Sequence, residues 1–486
     1  MSQNAAPLHQ EARAITGRRA GVWHNFATLA VALLIVTLPL PRHWILLNQR
    51  SFHVYYEFTS ILFYLSDVAV ILVLLTSAVW FWQERPAVRW GPAMVTLPLA
   101  LLPVVALATA PWAGDPVQAI YIAGRLVVLL AVYLAIVTLR PSARVVQRSL
   151  AASLMLQTAA AVAQFITQDD LGWQWLGEIE LSPTPGLASI ITVGDRVWLR
   201  GYGLTPHPNI LGGILVATLL ALVVAYLKSH GWRKVVWLTV LAGGGVGLVI
   251  SFSRAAWLGG VVGSAGLLLG LMSYRPWRRQ YARAILVPAV VGLVGLAGFA
   301  FARRDLFVAR LRPPATYTEA RSLDERRVLA DASLELIRRS PLTGVGAGNF
   351  STAIVPLVED VPATTPQPVH NLPLLLSAEL GLAGGVLWVW LMLAPVLLTW
   401  QRFRTFVGAR QAGLAIRLQR YLLSGLPRPY TNAGGVSLWV LGLTAGLVAL
   451  AMIDLFDFYS WGWPQGRLLR WVFLALWAGE LGDAAD

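Results

Sequence analysis

Ile214-Leu-Val-Ala-Thr-Leu-Leu-Ala-Leu-Val-Val-Ala-Tyr-Leu227 carries no charge, and neither does the segment from Pro208 that precedes it. Together they supply the roughly 20 apolar residues that a helix needs to cross a bilayer. Leu29 to Leu40 and Val68 to Trp82 have the same character. Of the 486 residues, 57% are hydrophobic and only 13% are charged, against about 25% charged in a soluble domain. So little polar material cannot cover that much apolar surface in water. The fold class expected is all-α: a polytopic membrane protein of about 12 transmembrane helices.

Working outward, the spans fall at about 24–40, 60–82, 91–111, 117–139, 149–166, 208–227, 234–250, 255–273, 284–302, 371–400, 436–457 and 468–481. The tenth is long for one crossing, so it is tilted or begins in the preceding loop. The arginines before the first span (Arg13, Arg18, Arg19) have no small-residue cleavage site after them, which reads as a retained helix rather than a signal peptide. Arg85 and Arg89, then Arg140, Arg144 and Arg148, then Lys228, Arg233 and Lys234, then Arg275 to Arg283, and Arg402 to Arg428 fill alternate connections. Those connections, and both termini, should be cytoplasmic. The chain then divides into helices at 1–166, an external loop at 167–207, helices at 208–302, an external loop at 303–370 and helices at 371–486.

Net charge is +14 and almost entirely arginine, with Lys228 and Lys234 the only lysines. The charge is scattered over short loops and forms no basic domain, so nucleic acid is not an expected partner. The 303–370 segment holds nine arginines. Long loops translocate regardless of charge, so these point to an anionic ligand; the alternative is a solvated surface salt-bridged to Glu319, Asp324 and Glu325. With no cysteine in the chain, disulfides, thiolate catalysis and iron–sulfur ligation are excluded.

Seven histidines remain as candidate bases. His207, in Thr205-Pro-His-Pro-Asn209, and His370, in Pro368-Val-His-Asn371, each stand at a helix mouth beside a proline and an asparagine. Asn209 and Asn371 suit helix capping, and proline stiffens the approach. His370 also closes the arginine-rich loop and precedes Glu379. An imidazole that charges near about 6.5 is a natural general base for an alcohol. Ser251-Phe-Ser-Arg254 makes a turn so short that Arg254 sits at the membrane surface, either snorkelling or holding a phosphate. Leu329, Ala332, Leu336 and Ile337 recur at helical spacing and predict an amphipathic helix bearing Arg326 and Arg327. The glycines of Gly344-Val-Gly-Ala-Gly348 would let backbone approach an oxyanion. Asp67 and Arg125, in apolar spans, suit a mutual ion pair. Asp454 and Asp457, three apart, would share a face and could orient a base or hold a cation. No metal cluster with recognisable spacing is present elsewhere, so neither metal nor cofactor is expected.

Four segments in order resemble the O-antigen ligase and polymerase family: Arg200-Gly-Tyr-Gly-Leu-Thr-Pro-His-Pro-Asn209, Ser251-Phe-Ser-Arg254, Arg326 through Phe350, and Val369-His-Asn-Leu372 with Glu379-Leu-Gly-Leu-Ala383. The likeness covers about 200–400. It implies a GT-C-type membrane glycosyltransferase that moves a glycan from an undecaprenyl-pyrophosphate donor to a glycan, lipid or protein acceptor. It also implies metal-independent catalysis on the outer face of the cytoplasmic membrane, in cell-envelope polysaccharide biosynthesis. Arg254, Arg326 and His370 would be the catalytic trio. Arg327, adjacent, is an alternative for the loop position, and substrate binding would draw on Arg200, His207, Asn209, Ser253, Asn371, Glu379 and Arg125. Many members carry an aromatic residue four places after the loop arginine; here it is Ala330. The 167–207 segment is long for the family, and its Trp173 and Trp175 would suit sugar stacking.

A ligase and a polymerase differ in acceptor, which no motif encodes. A lipid-linked glycan flippase should bury several charges along a central path, and only Asp67 and Arg125 look deep.

Overall fold

The computed structural model describes residues 6–48, 56–183, 188–311, 317–358, 360, 366–424 and 436–481. His53 and residues 425–428 of the basic segment lie outside them. The chain is a helical bundle. Its first half contains α1 (Ala6–Thr37), α2 (Leu65–Glu84), α3 (Ala93–Ala108), α4 (Pro116–Leu139), α5 (Ala143–Thr167), α6 (Pro208–Lys228), α7 (Trp232–Ile250) and α8 (Arg254–Ser273). Then come α9 (Arg275–Ala302), α10 (Arg304–Leu311), α11 (Tyr317–Arg339) and two short turns, α12 (Phe350–Ala353) and α13 (Val355–Val358). The last are α14 (Leu372–Ser424), α15 (Leu438–Asp454), α16 (Tyr459–Gly462) and α17 (Pro464–Leu481).

Each of the twelve spans expected from sequence falls on a helix. Among the described residues, nine helices are long and apolar enough to cross a membrane, and Gly21–Thr37 and Leu438–Asp454 are shorter apolar helices. The protein is thus an all-α polytopic membrane protein. Two hairpins interrupt the helices, β1 (His43–Leu47) with β2 (Ile61–Tyr64) and β3 (Ile190–Val193) with β4 (Arg196–Leu199). Sequence periodicity gave no sign of either, because each strand has only four or five residues.

Helices α6, α15 and α17 form the centre, whereas α9 is peripheral. Glycines set the spacing of α8 against α15. A Cβ on Gly259 would lie 2.7 Å from the Ala449 carbonyl oxygen, and one on Gly263 would lie 2.7 Å from that of Ala445. Small residues four apart let two backbones touch, which is how helices associate where no hydrophobic force separates protein from lipid. Helix α17 is buried on every side despite Arg467 and Arg470. Arg470 forms an ion pair with Asp454, and both side chains are fully covered. More charge is therefore deep than Asp67 and Arg125 alone, which corrects the sequence count.

The long tenth span is a broken helix. Gly381, at φ 71° and ψ 178°, interrupts α14. The turn after α11 docks into the break, with Leu382 N donating to Pro341 O at 2.8 Å. A half-helix over 372–380 therefore precedes the main crossing.

Candidate active site

Helix ends, the β1–β2 hairpin and the loop stretches around 174–180 and 188–189 line a cavity of about 790 Å³. His207, Asn209, His370 and Asp457 are in its wall, as are Arg42, Glu57, Glu178 and Glu180. Four sequence segments hold this wall in place.

The first is centred on Arg200, which is buried and fully engaged. It donates through Nε to Ser251 O at 2.8 Å and through its terminal nitrogens to Ser189 Oγ at 2.7 Å and Asn209 Oδ1 at 2.8 Å. Burial holds its pKa well below the ordinary value, and Arg310 adds to the shift. Arg200 is thus a clamp for the site rather than a free cation. Asn209 passes the restraint on, donating through Nδ2 to Asp457 Oδ2 at 2.8 Å.

His207 itself caps α6. Its Nδ1 accepts Asn209 N at 3.1 Å, which corrects the expectation that Asn209 is the cap. That bond uses the Nδ1 lone pair, so the neutral ring carries its proton on Nε2. Burial, with Arg200 and His370 nearby, holds its pKa well below 6.5.

The second segment is the turn Ser251-Phe252-Ser253. Phe252 adopts φ 47° and is fully buried. A left-handed phenylalanine is strained by about 1–3 kcal/mol and persists only where its surroundings fix it. Here Phe165, Trp257, Phe299 and Phe307 pack about the ring with centroids 6.0–6.2 Å away. Arg310 Nε also donates to Phe252 O at 2.9 Å. Ser253 caps α8, accepting Ala256 N at 3.4 Å, and exposed Arg254 is the first helical residue. A cation at a helix N-terminus opposes the dipole unless an anion joins it.

The third segment is α11. Leu329, Ala332 and Leu336 are buried as their spacing requires, and Ser333 Oγ reaches Leu374 O of α14 at 3.4 Å. Arg326 shares that inward face. Its Nε is buried without a hydrogen-bond partner, and burial lowers its pKa, Asp457 opposing and Arg254 adding to the shift. Arg327 points out, 80% exposed, and pairs with Asp324 at 3.8 Å. The two adjacent arginines are thereby separated, with Arg326 at the site and Arg327 in solvent.

The fourth segment carries His370. Its ring meets Phe458 edge-on at 5.0 Å, and its Nδ1 is buried without a partner. Burial pushes the imidazole down to about 4; Asp457 pulls it up and Arg326 pushes it further down. Asn371 is an anchor: Oδ1 accepts Leu374 N at 3.0 Å and Nδ2 donates to Leu455 O at 3.1 Å.

Of the expected site residues, His207, Asn209 and His370 line the cavity, whereas Arg200, Ser253, Arg254, Arg326 and Asn371 do not; three more have other roles. Arg327 is outside, as described. Arg125 pairs with Asp67 at 2.6 Å between α4 and α2, as the ion-pair reading had it, and does not line the cavity. Glu379 accepts Gly348 N at 2.9 Å, Phe350 N at 3.4 Å and Trp461 Nε1 at 2.8 Å. The glycine run is therefore no open oxyanion cradle. Gly344, Gly346 and Gly348 have φ of 65°, 107° and 71°, and the protein's own carboxylate fills the space they open.

Asp454 and Asp457 do not share a face either. Helix α15 ends at Asp454, whose Oδ2 meets Arg470 and Trp388, whereas Asp457 lies past the helix end and faces the cavity. Glu178 and Asp170 bind loop backbone rather than ligand, Glu178 accepting Leu171 N at 2.9 Å and Trp173 N at 2.8 Å and Asp170 accepting Gly172 N at 3.0 Å. Trp173 and Trp175 are not in the cavity wall, whereas Tyr64, Tyr202, Phe458 and Trp463 are. Sequence reasoning did not single out Arg310. Its only signal was membership of an arginine-rich loop. Among the described residues, no group of three or more His, Asp or Glu is placed to hold a metal ion.

Residues 237–389 match the family model described as O-antigen ligase. That match supports the likeness read from the sequence motifs. The matched segment contains Arg254, Arg326 and His370, while Arg200, His207, Asn209 and Asp457 lie outside it. No curated protein matches the chain.

Proposed function

We propose that the protein is a membrane glycosyltransferase that moves a glycan from undecaprenyl pyrophosphate to an acceptor hydroxyl on the outer face of the cytoplasmic membrane. One observation carries this reading: His370 lines the cavity with a buried Nδ1 that has no hydrogen-bond partner, on the same side of the molecule as Asp457, which it shares as an electrostatic neighbour with the inward-facing Arg326. The acceptor oxygen bonds to the anomeric carbon while the bond from that carbon to the phosphate oxygen breaks, and the electron pair leaves with the pyrophosphate. His370 takes the hydroxyl proton. Arg326 and Arg254 stabilise the departing charge, assisted by the positive end of the α8 dipole. Attack opposite the leaving group inverts the anomeric centre, and the two guanidiniums supply the charge that a divalent metal would otherwise bring.

A pKa near 4 makes a weak base, and the donor corrects this. A bound pyrophosphate adds negative charge beside His370 and raises its proton affinity. The base is thus strengthened when there is a donor to attack. A flippase is disfavoured because, of the deep charges, Asp67, Arg125, Asp454 and Arg470 are locked in pairs and Glu379 is held by backbone N–H groups and Trp461, which leaves Arg467 alone without an ion-pair partner among the described residues. The test is transfer from purified undecaprenyl-pyrophosphate-linked glycan by the reconstituted protein, with EDTA present. A product on lipid A core identifies a ligase, elongation of a second lipid-linked glycan identifies a polymerase, and no transfer to either contradicts the reading.

A further inference from the structure

The charges around the cavity are segregated. Arg254, Arg310 and Arg326 do not line the cavity, although their charge is felt by Arg200 or His207. Among the described residues, the charged groups in its wall are Arg42 on one side of the ledger and Glu57, Glu178, Glu180 and Asp457 on the other. Glu178 is occupied by Gln164, Leu171 and Trp173, and Asp457 by Asn209 and Phe458. Glu57 is not so satisfied: its Oε2 is buried and has no hydrogen-bond partner. Glu180 is exposed to the cavity. A buried carboxylate oxygen without a donor is unfavourable, and a ligand hydroxyl or ammonium would relieve it. A second negative charge brought into the same wall would be repelled.

We propose that the cavity takes the sugar of the acceptor, that this sugar is uncharged or amino-bearing, and that Glu57 and Glu180 exclude acidic sugars. The proposal rests on the glycosyltransferase reading only in naming the acceptor. His370, the base for the acceptor hydroxyl, is in the cavity wall, while the arginines that would hold the donor are not. Phe58 and Trp463, both half-buried, supply ring surface for the sugar, and the carboxylates supply hydrogen-bond acceptors.

The test uses saturation-transfer NMR on the full-length protein in nanodiscs with three free disaccharides: neutral diacetylchitobiose, cationic chitobiose and anionic digalacturonate. Wild type should bind the first two at least about tenfold more tightly than the third, the scale expected for one unscreened like-charge contact near a protein surface. Binding should persist with undecaprenyl pyrophosphate saturating the donor site. The isosteric double variant Glu57→Gln/Glu180→Gln, checked for an unchanged melting midpoint, should bind digalacturonate nearly as well as diacetylchitobiose. Equal binding of all three sugars to wild type, no binding of any, displacement by undecaprenyl pyrophosphate, or an unchanged preference in the double variant would each overturn the proposal. A charge preference without transfer from any donor would leave this sugar site standing and remove the glycosyltransferase reading instead.

Discussion

Thr205-Pro-His-Pro-Asn209 and Pro368-Val-His-Asn371 look alike, and both bring an imidazole into the same cavity wall. The two rings nevertheless do opposite work. His207 gives its Nδ1 lone pair to Asn209 N and holds the start of α6. His370 leaves the cap of its helix to Asn371, and its own Nδ1 has no partner. The capping bond decides which histidine is free to take a proton, and one residue of spacing decides the cap. In the first segment the asparagine stands two residues past the histidine and is turned toward Arg200 and Asp457. In the second it follows directly and takes the cap itself.

After loss of His370 itself, the largest effect that could break this contrast concerns the arginines of the site. Arg254→Ala and Arg326→Ala should each lower turnover by at least about 30-fold, equivalent to about 2 kcal/mol of lost transition-state stabilisation. Arg327→Ala, which removes an outward-facing side chain, should stay within about twofold of wild type. Lys at 254 or 326 should rescue only partly, because an ammonium lacks the paired donors of the guanidinium. Steady-state rates at matched protein abundance check all of these. Equal losses at 326 and 327 would mean that the inward face of α11 is not the functional one.

Next in size is a structural effect. Gly346→Ala should lower stability by about 1–3 kcal/mol, read as a lower melting midpoint. At φ 107° a Cβ there would lie 2.9 Å from Ala113 Cα. His207→Ala should cost about 1 kcal/mol, the usual scale for a lost helix cap, with turnover of the folded protein falling less than tenfold. A much larger loss of turnover with stability unchanged would move the base to His207.

The smallest effect is the pH profile. A base works while neutral, so activity is lost as pH falls through its pKa. With His370 pushed down to about 4 in the free enzyme, kcat/KM should stay flat from about pH 8 to about pH 5 and fall only below that. The corresponding limb of kcat should lie at higher pH, since bound pyrophosphate raises the pKa. A kcat/KM that halves near 6.5, as a free imidazole would give, would mean that His370 is more exposed to water than the fold makes it.

Most of the fold was legible in the sequence, for a plain reason. Membrane spans announce themselves by length and apolarity, and Leu329, Ala332 and Leu336 announced α11 by periodicity. The positions of Arg254, Arg326 and His370 were legible as a family likeness. What was not legible was how each polar atom is used. Arg200, His207, Asn371 and Glu379 have the residue types of a binding site, yet their donors and acceptors are largely taken up by the protein. That depends on side-chain direction and on contacts far apart in the chain, such as Glu379 with Trp461. Asp454 and Asp457 show the same limit. Helical spacing put them on one face, but the helix stops at the first of them, so one is sealed against Arg470 and the other faces the cavity. Arg467 and Arg470 escaped notice as core residues because a helix walled in by other helices can carry charge that a lipid-facing one cannot.

The most direct test of the central claim is a single-turnover measurement on reconstituted His370→Ala with saturating undecaprenyl-pyrophosphate-linked glycan. Donor affinity should be recorded on the same sample. The account predicts that transfer slows by about 100-fold or more, the usual scale for loss of a general base. Donor affinity should stay within about twofold, because the arginines hold the pyrophosphate. Transfer at the wild-type rate would contradict the account, leaving the arginines to drive the reaction by stabilising the departing pyrophosphate without a histidine base.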